Sequence, residues 1–245
     1  MTSEAPGMLA RHHFLLRRLH SLTGIVPVGV FLINHLLTNS TAFLGPERFD
    51  HHVKWIHDLP WLLAIEILFI FLPLAFHACY GVVIALQGKM NVLQYPYMDN
   101  WRYALQRITA WITLGFVVVH LLHFRFAHYL GVEEYKAANP FFFAFTQKGF
   151  LNLWLPTWLW TAIYAVGVLA ATFHFCNGIV TFCITWGLTP GVEGRKRLSI
   201  AAGVLGLVLV AWGFVSLYAL TTVRSTAGTK EAHAARTVET AQYGR

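Results

Sequence analysis

Apolar and polar positions sort this chain into five long apolar runs joined by shorter polar stretches. The runs cover about Leu19–Thr41, Leu59–Gln87, Tyr103–Tyr129, Leu153–Gly187 and Leu198–Val223. Each supplies the ~20 residues that a helix needs to cross a bilayer core of about 30 Å. No water is available there to satisfy backbone N–H and C=O groups, so each run predicts a transmembrane helix. Pro27 lies well inside the first run and predicts a kink. Pro60 opens the second, where a missing N–H costs nothing, and Pro73 lies deeper in the same run. The fifth run has no Asp, Glu, Lys, Arg or His and carries Ala201, Ala202, Gly203 and Gly206, a composition that predicts close helix packing.

The intervening stretches read as connections. Thr38–Asp58 holds Gly45, Pro46, His51, His52, His57 and Asp58, and Gly88–Arg102 is a polar loop. Leu130–Asn152 contains an aromatic stretch, Phe141–Phe145, which with Trp154, Trp158 and Trp160 reads as an interfacial belt. Leu188–Arg197 ends in Arg195, Lys196 and Arg197. Met1–His13 is polar and reads as a surface segment, and Ser225–Arg245, rich in Ala and Thr, as a disordered tail. The expected fold is an all-α integral membrane domain over residues 1–223, its first four helices forming a bundle, with a polar tail over 224–245.

Composition changes this picture little but excludes several chemistries. The chain is 56% hydrophobic and only 12% charged, about half the charge content of soluble domains. The net charge of +7 suits membrane loops and anionic lipid, and no nucleic-acid motif accompanies it. Cys79, Cys176 and Cys183 all fall in apolar runs without a Cys-x-x-Cys, which argues against iron–sulfur ligation and a disulfide framework. No glycine-rich nucleotide fingerprint follows a strand-like segment. Arg11, Arg17 and Arg18 precede a full-length span rather than a cleavable signal. Five spans put the two termini on opposite sides. Lys and Arg divide equally between those sides, but the N-terminal set is packed into shorter loops nearer helix ends. The positive-inside bias therefore places the N-terminus in the cytoplasm and the C-terminus on the outer side.

Histidines inside the apolar runs carry the candidate chemistry. Phe76-His77-Ala78-Cys79-Tyr80-Gly81 and Phe173-His174-Phe175-Cys176-Asn177-Gly178 share the pattern Phe-His-x-Cys-x-Gly. His35 and His120 are each followed by Leu-Leu. A histidine in hydrocarbon is costly unless it faces protein, water or a metal. Gly81 and Gly178 lie one turn beyond their histidines on the same helix face, which leaves room for a flat ligand. By helix rise, His35 and His120 lie roughly 10–14 Å from the outer helix ends, and His77 and His174 roughly 15–20 Å from the inner ends. The pairs alike in sequence are thus the pairs matched in depth. Imidazole suits iron, copper and zinc. Two pairs at two depths, one His per helix, fit two bis-histidine b haems, with His77 and His174 on the inner and His35 and His120 on the outer. Their irons would stand roughly 10–15 Å apart along the membrane normal. His123, one turn from His120, is an alternative ligand. Arg17, Arg18, His20 and Ser21 near the inner surface, and Arg125 near the outer, are candidates for propionate or packing contacts, with lipid-headgroup contact the competing role. His12, His13, His51, His52 and His128 read as surface histidines.

With these residues in hand, the chain resembles the cytochrome b558 subunits of succinate dehydrogenase, five-helix dihaem membrane anchors. The matching stretches are Arg17 to Leu22, Phe31 to Leu36, Phe71 to Leu74 leading to His77–Gly81, Trp101 to Arg107, Phe173–Phe175 with Asn177 and Gly178, and Thr185 to Gly187. They cover about Arg17 to Gly187 in order and leave out the tail. The resemblance implies a bacterial inner-membrane complex in which flavoprotein and iron–sulfur subunits, carrying the FAD and the clusters, sit on the cytoplasmic face. A higher oligomer of that complex fits the same picture. Electrons from succinate would pass through the clusters and the two haems to a quinone, usually menaquinone in this group. Some relatives that reduce fumarate carry a glutamate two residues before the fourth ligand; here that position is Thr172, which places the fumarate-reducing direction in doubt.

Glu66 bears on the quinone independently. It precedes His77 by eleven residues, about three turns, so an uninterrupted helix sets both on one side, with Glu66 at the depth of the outer haem. A carboxylate there is suited to pass protons, with a structural hydrogen bond to a neighbouring helix as the competing role. His51, His57 and Asp58 could extend such a path to the outer surface. Two other function classes compete: a dihaem subunit of a hydrogenase, formate dehydrogenase or nitrate reductase, and a transporter whose histidines line a proton path. The first would pair its ligands differently, and the second would show no haem bands.

Overall fold

In a computed structural model, the described residues are 8–126, 155–189 and 191–243, and among them all regular structure is helical. Helix α1 spans Met8–Ile25 and α2 spans Pro27–Ser40. They meet at Val26, because Pro27 lacks the N–H that would continue the ladder. The kink expected at Pro27 falls at this junction, across which Val26 N–H still donates to the Leu22 carbonyl and Val30 N–H to the Val26 carbonyl. After a 3₁₀ turn at Thr41–Leu44, Gly45 adopts φ 106°, a value open to glycine, and Pro46 starts α3, Pro46–His57. The connection expected over Thr38–Asp58 is thus largely helical, and Phe49 of α3 is buried with Ala42 and Ala219.

Helix α4, Leu62–Gln87, starts after Pro60, with Trp61 in a left-handed conformation at its N-cap. It contains a π-helical turn at Glu66–Phe71. Pro73 explains that turn: its ring would clash with the carbonyl four residues back, Phe69, and it has no N–H to donate. Helix α5 runs from Met98 to His120 and ends in a second π turn, Leu121–Arg125. It begins five residues before the expected Tyr103, so Arg102 belongs to a helix and not to the preceding loop. Helix α6 is Thr157–Thr185 and α7 is Val192–Tyr243. The expected disordered tail is helical through Tyr243, in keeping with the helix formers Ala232, Ala234, Ala235 and Arg236. The aromatic stretch Phe141–Phe145, Trp154 and His128 lie outside the described residues.

Among the described residues, five helical segments are long and apolar enough to cross a membrane: His12–Leu44, Leu62–Gln87, Met98–Arg125, Trp158–Thr185 and Val192–Thr221. Their outward residues, such as Leu68, Phe69 and Leu207, are apolar and exposed, as hydrocarbon requires. Contacts divide the chain into two compact units. One comprises Met1–His35, Asp58–Gly115 and Gly167–Val210; the other comprises Leu36–His57, Phe116–Val166 and Ala211–Arg245.

Candidate functional site

The first unit brings three histidines together. His77 of α4 and His174 of α6 lie with ring centroids 6.1 Å apart and planes at 84°. His20 of α1 stacks on His77 at 4.0 Å and 12°. Two imidazoles bonded to opposite sides of one metal, through bonds of about 2 Å, place their ring centres roughly 6 Å apart. His77 and His174 meet that requirement. Parallel rings stacked face to face aim no nitrogen at a common point, so His20 and His77 do not.

Backbone carbonyls fix how the two rings present themselves. His77 Nδ1 donates to the His20 carbonyl at 2.8 Å, and His174 Nδ1 donates to the Gln106 carbonyl at 3.2 Å. A carbonyl can only accept, so His77 Nδ1 carries the proton and its Nε2 keeps a free lone pair. His174 Nδ1 stands 3.2 Å from both the Gln106 carbonyl and the Gln106 side-chain nitrogen, and binding a metal through Nε2 selects the tautomer that donates to the carbonyl. Metal-binding histidines usually give their other ring N–H to such a carbonyl, which fixes the ring and its tautomer. Further donors are present at the cytoplasm-facing end expected for this unit. His20 Nδ1 and Arg18 Nε are buried without a hydrogen-bond partner, and carboxylates of a bound haem would satisfy such donors. The Arg18 guanidinium lies over the rings of Phe14 and Trp186. The residues therefore fit a bis-histidine haem.

Other expected residues fall differently. Ser21 is engaged in packing: its hydroxyl donates to the Arg18 carbonyl and accepts from Trp186 Nε1. Arg17 bonds His13 and Gln87. Gly81 makes room for a side chain, since a Cβ there would stand 3.1 Å from His20 Cε1. A Cβ at Gly178 would meet only ordinary contacts with Gln106 and Ile25, both at 3.8 Å. The closest approach of a glycine to a candidate ligand is at one that the sequence pattern did not single out. A Cβ on Gly24 would collide with the His77 ring. Thr172 is buried, with its methyl group 3.9 Å from where a Gly206 Cβ would stand, so α7 closes off the position at which some relatives carry glutamate.

Glu66 is half-buried and opens the π turn of α4. Eleven residues of uninterrupted α-helix would set it roughly 20° from His77, but a π turn acts as about one inserted residue, and the offset becomes roughly 80°. The shared face expected for Glu66 and His77 is therefore not kept. Also in this unit, His35 of α2 packs on Phe31, with centroids 5.3 Å apart.

The second unit holds an aromatic cluster around Tyr164 of α6. Its hydroxyl lies 3.3 Å from His120 Nδ1 and 3.0 Å from His123 Nδ1. His123 is buried and stacked between Phe124 and Trp160, with centroids 4.4 and 4.3 Å away. Trp160, expected in an interfacial belt, is buried against this ring instead, whereas Trp158 is exposed. His120 is less deeply placed, and its ring also meets Phe116. Arg125 is half-buried in the π turn.

Comparison with known proteins points the same way. A family model described as succinate dehydrogenase/fumarate reductase transmembrane subunit matches residues 85–215. The chain is also 40% identical over 214 residues to the succinate dehydrogenase cytochrome b558 subunit of Bacillus subtilis (strain 168). That alignment covers 87% of this chain and 98% of the relative.

Proposed function

The chain belongs to the succinate dehydrogenase/fumarate reductase transmembrane subunit family, and from that premise we propose that it is a dihaem anchor passing electrons from succinate to a membrane quinone. The observation that carries this reading is the His77–His174 pair, at 6.1 Å and 84°, with each Nδ1 within hydrogen-bonding distance of a backbone carbonyl. These two residues would hold the inner haem, and His35 and His120 the outer. Haem b supplies one-electron exchange at each site. His20 and Arg18 would hold the inner propionates, and Arg125 the outer. The flavoprotein and iron–sulfur subunits dock at the cytoplasmic side, where the N-terminus also lies, and the C-terminus lies outside. The acceptor is menaquinone, and Glu66 delivers protons to it near the outer haem. Succinate oxidation is the favoured direction, because Thr172 offers no carboxylate for a second proton route.

The test is a haem count on the purified complex with its partner subunits. Pyridine haemochrome analysis should give two b haems per copy of this chain. One haem, or none, refutes the reading, and a reduced-minus-oxidised spectrum without b bands would favour a transporter.

A further inference from the structure

One hydrogen-bonded chain of side chains in the first unit joins α5, α6 and α7 and ends at His174. Arg102 of α5 donates from Nε to Asn177 Oδ1 at 3.0 Å and from a terminal nitrogen to Ser199 Oγ at 3.1 Å. Asn177 Nδ2 donates to Gln106 Oε1 at 2.8 Å, and Gln106 Nε2 donates to the His174 carbonyl at 3.0 Å. The same Gln106 nitrogen stands 3.2 Å from His174 Nδ1.

The direction of these bonds has a cause. Arg is a donor with no acceptor, so the Asn177 amide must turn its oxygen toward Arg102. Its NH2 group then faces Gln106 and needs an acceptor, which turns the Gln106 oxygen toward Asn177. The Gln106 NH2 group is left facing His174. When His174 binds iron through Nε2, Nδ1 carries the proton and gives it to the Gln106 backbone carbonyl, and the Gln106 NH2 group then bonds the His174 carbonyl rather than Nδ1. Had the amide been reversed, its oxygen would stand beside that N–H as a second acceptor. A second acceptor draws the imidazole toward imidazolate and favours ferric over ferrous iron.

We propose that Arg102, through Asn177, fixes the polarity of the Gln106 amide so that its NH2 group faces His174, and thereby holds up the potential of the haem that His174 would bind. The three are positioning residues; none touches the iron. The proposal rests on the dihaem reading above.

The test uses the intact purified complex. Asn177→Asp keeps the acceptor for Arg102 but removes the donor to Gln106, so the Gln106 amide should reverse. The ferric preference of the inner haem should then rise about tenfold, a fall of about 59 mV for one electron, while the outer haem titrates as before. A new carboxylate also favours ferric iron by charge alone, so the double variant Asn177→Asp/Gln106→Leu separates the two causes. Most of the shift should vanish in the double variant. An unshifted inner haem in Asn177→Asp, or a full shift persisting in the double variant, overturns the relay. If the Asn177→Asp complex does not assemble, Gln106→Glu decides, because it sets an acceptor beside the Nδ1–H without touching Asn177. The inner haem should then show the same rise of about tenfold in ferric preference, whereas Gln106→Leu, which sets none there, should titrate as the wild type. An unshifted Gln106→Glu or a shifted Gln106→Leu overturns the proposal. Failure of the dihaem reading looks different, since the wild-type complex would then lack b haem or His174→Ala would keep the inner component.

Discussion

Gly24→Ala should remove or loosen the inner haem while leaving the fold intact. On helix propensity alone the change is favourable by about 1 kcal/mol. Against this stands the collision of the new methyl with the His77 ring, where Cε1 and Nδ1 are the nearest atoms. Backbone has no need to move, because a ring can turn about its side-chain bonds. The ring cannot turn freely, however, without giving up its bond to the His20 carbonyl and its stack on His20. The hydrogen bond is worth about 0.5–1.5 kcal/mol, and disturbing the groups that orient a metal ligand typically costs 10–100-fold in metal affinity. The cost therefore falls on ligand geometry and not on global stability.

The assay is haem content and redox titration of the purified complex, with its thermal midpoint measured alongside. Gly24→Ala should lose most of the inner component at an unchanged midpoint. Gly203→Ala is the control, since a Cβ there meets nothing within 4 Å, and it should keep both haems. Gly81→Ala falls between, with 3.1 Å to the His20 ring. Wild-type haem content and titration in Gly24→Ala would refute the argument that this glycine seats His77.

His77→Ala and His174→Ala should each abolish one redox component, and His35→Ala and His120→Ala the other; loss of different components within a pair contradicts the pairing. His123→Ala should retain the outer haem with an altered spectrum, whereas complete loss would make His123 the ligand in place of His120. The separated chain should show no dye-linked succinate oxidation, because it carries no nucleotide- or cluster-binding motif. Glu66→Gln keeps the shape but not the titrating proton, and quinone-linked turnover should fall at least ~10-fold while succinate still reduces the haems; turnover at the wild-type rate would make the carboxylate structural.

The spans were legible because hydrocarbon imposes one demand, length of apolar helix, that a linear sequence displays directly. Helix ends were less so. Arg102 reads as a loop cation from its polar neighbours Asp99 and Asn100, yet it lies in the second turn of α5, where Asn177 and Ser199 satisfy it. Helix α3 was hidden by its histidines, although Phe49 and Val53, one turn apart, already mark the face that packs on Ala42 and Ala219. The tail was read from its polarity, and polarity decides burial, not helicity.

The inner site divides in the same way. The repeat Phe-His-x-Cys-x-Gly identified His77 and His174 because both residues and their motif are local in sequence. What holds the rings comes from other helices: Gly24 and the His20 carbonyl from α1, Gln106 and Arg102 from α5. No spacing rule joins such residues to a histidine 50 to 70 positions away, so the pattern pointed to Gly178 while the close contact is at Gly24. The alignment of Glu66 with His77 is lost for a different reason. The eleven-residue argument assumes a uniform 3.6-residue turn, and Pro73 breaks that assumption between Glu66 and His77. The proline was visible in the sequence; its consequence was a change of register rather than a bend. A π turn beginning at the one acidic residue deep in the spans moves that carboxylate about a quarter turn away from the His77 face. Pro73, which lies between the proposed proton donor and the inner ligand, therefore turns their faces apart.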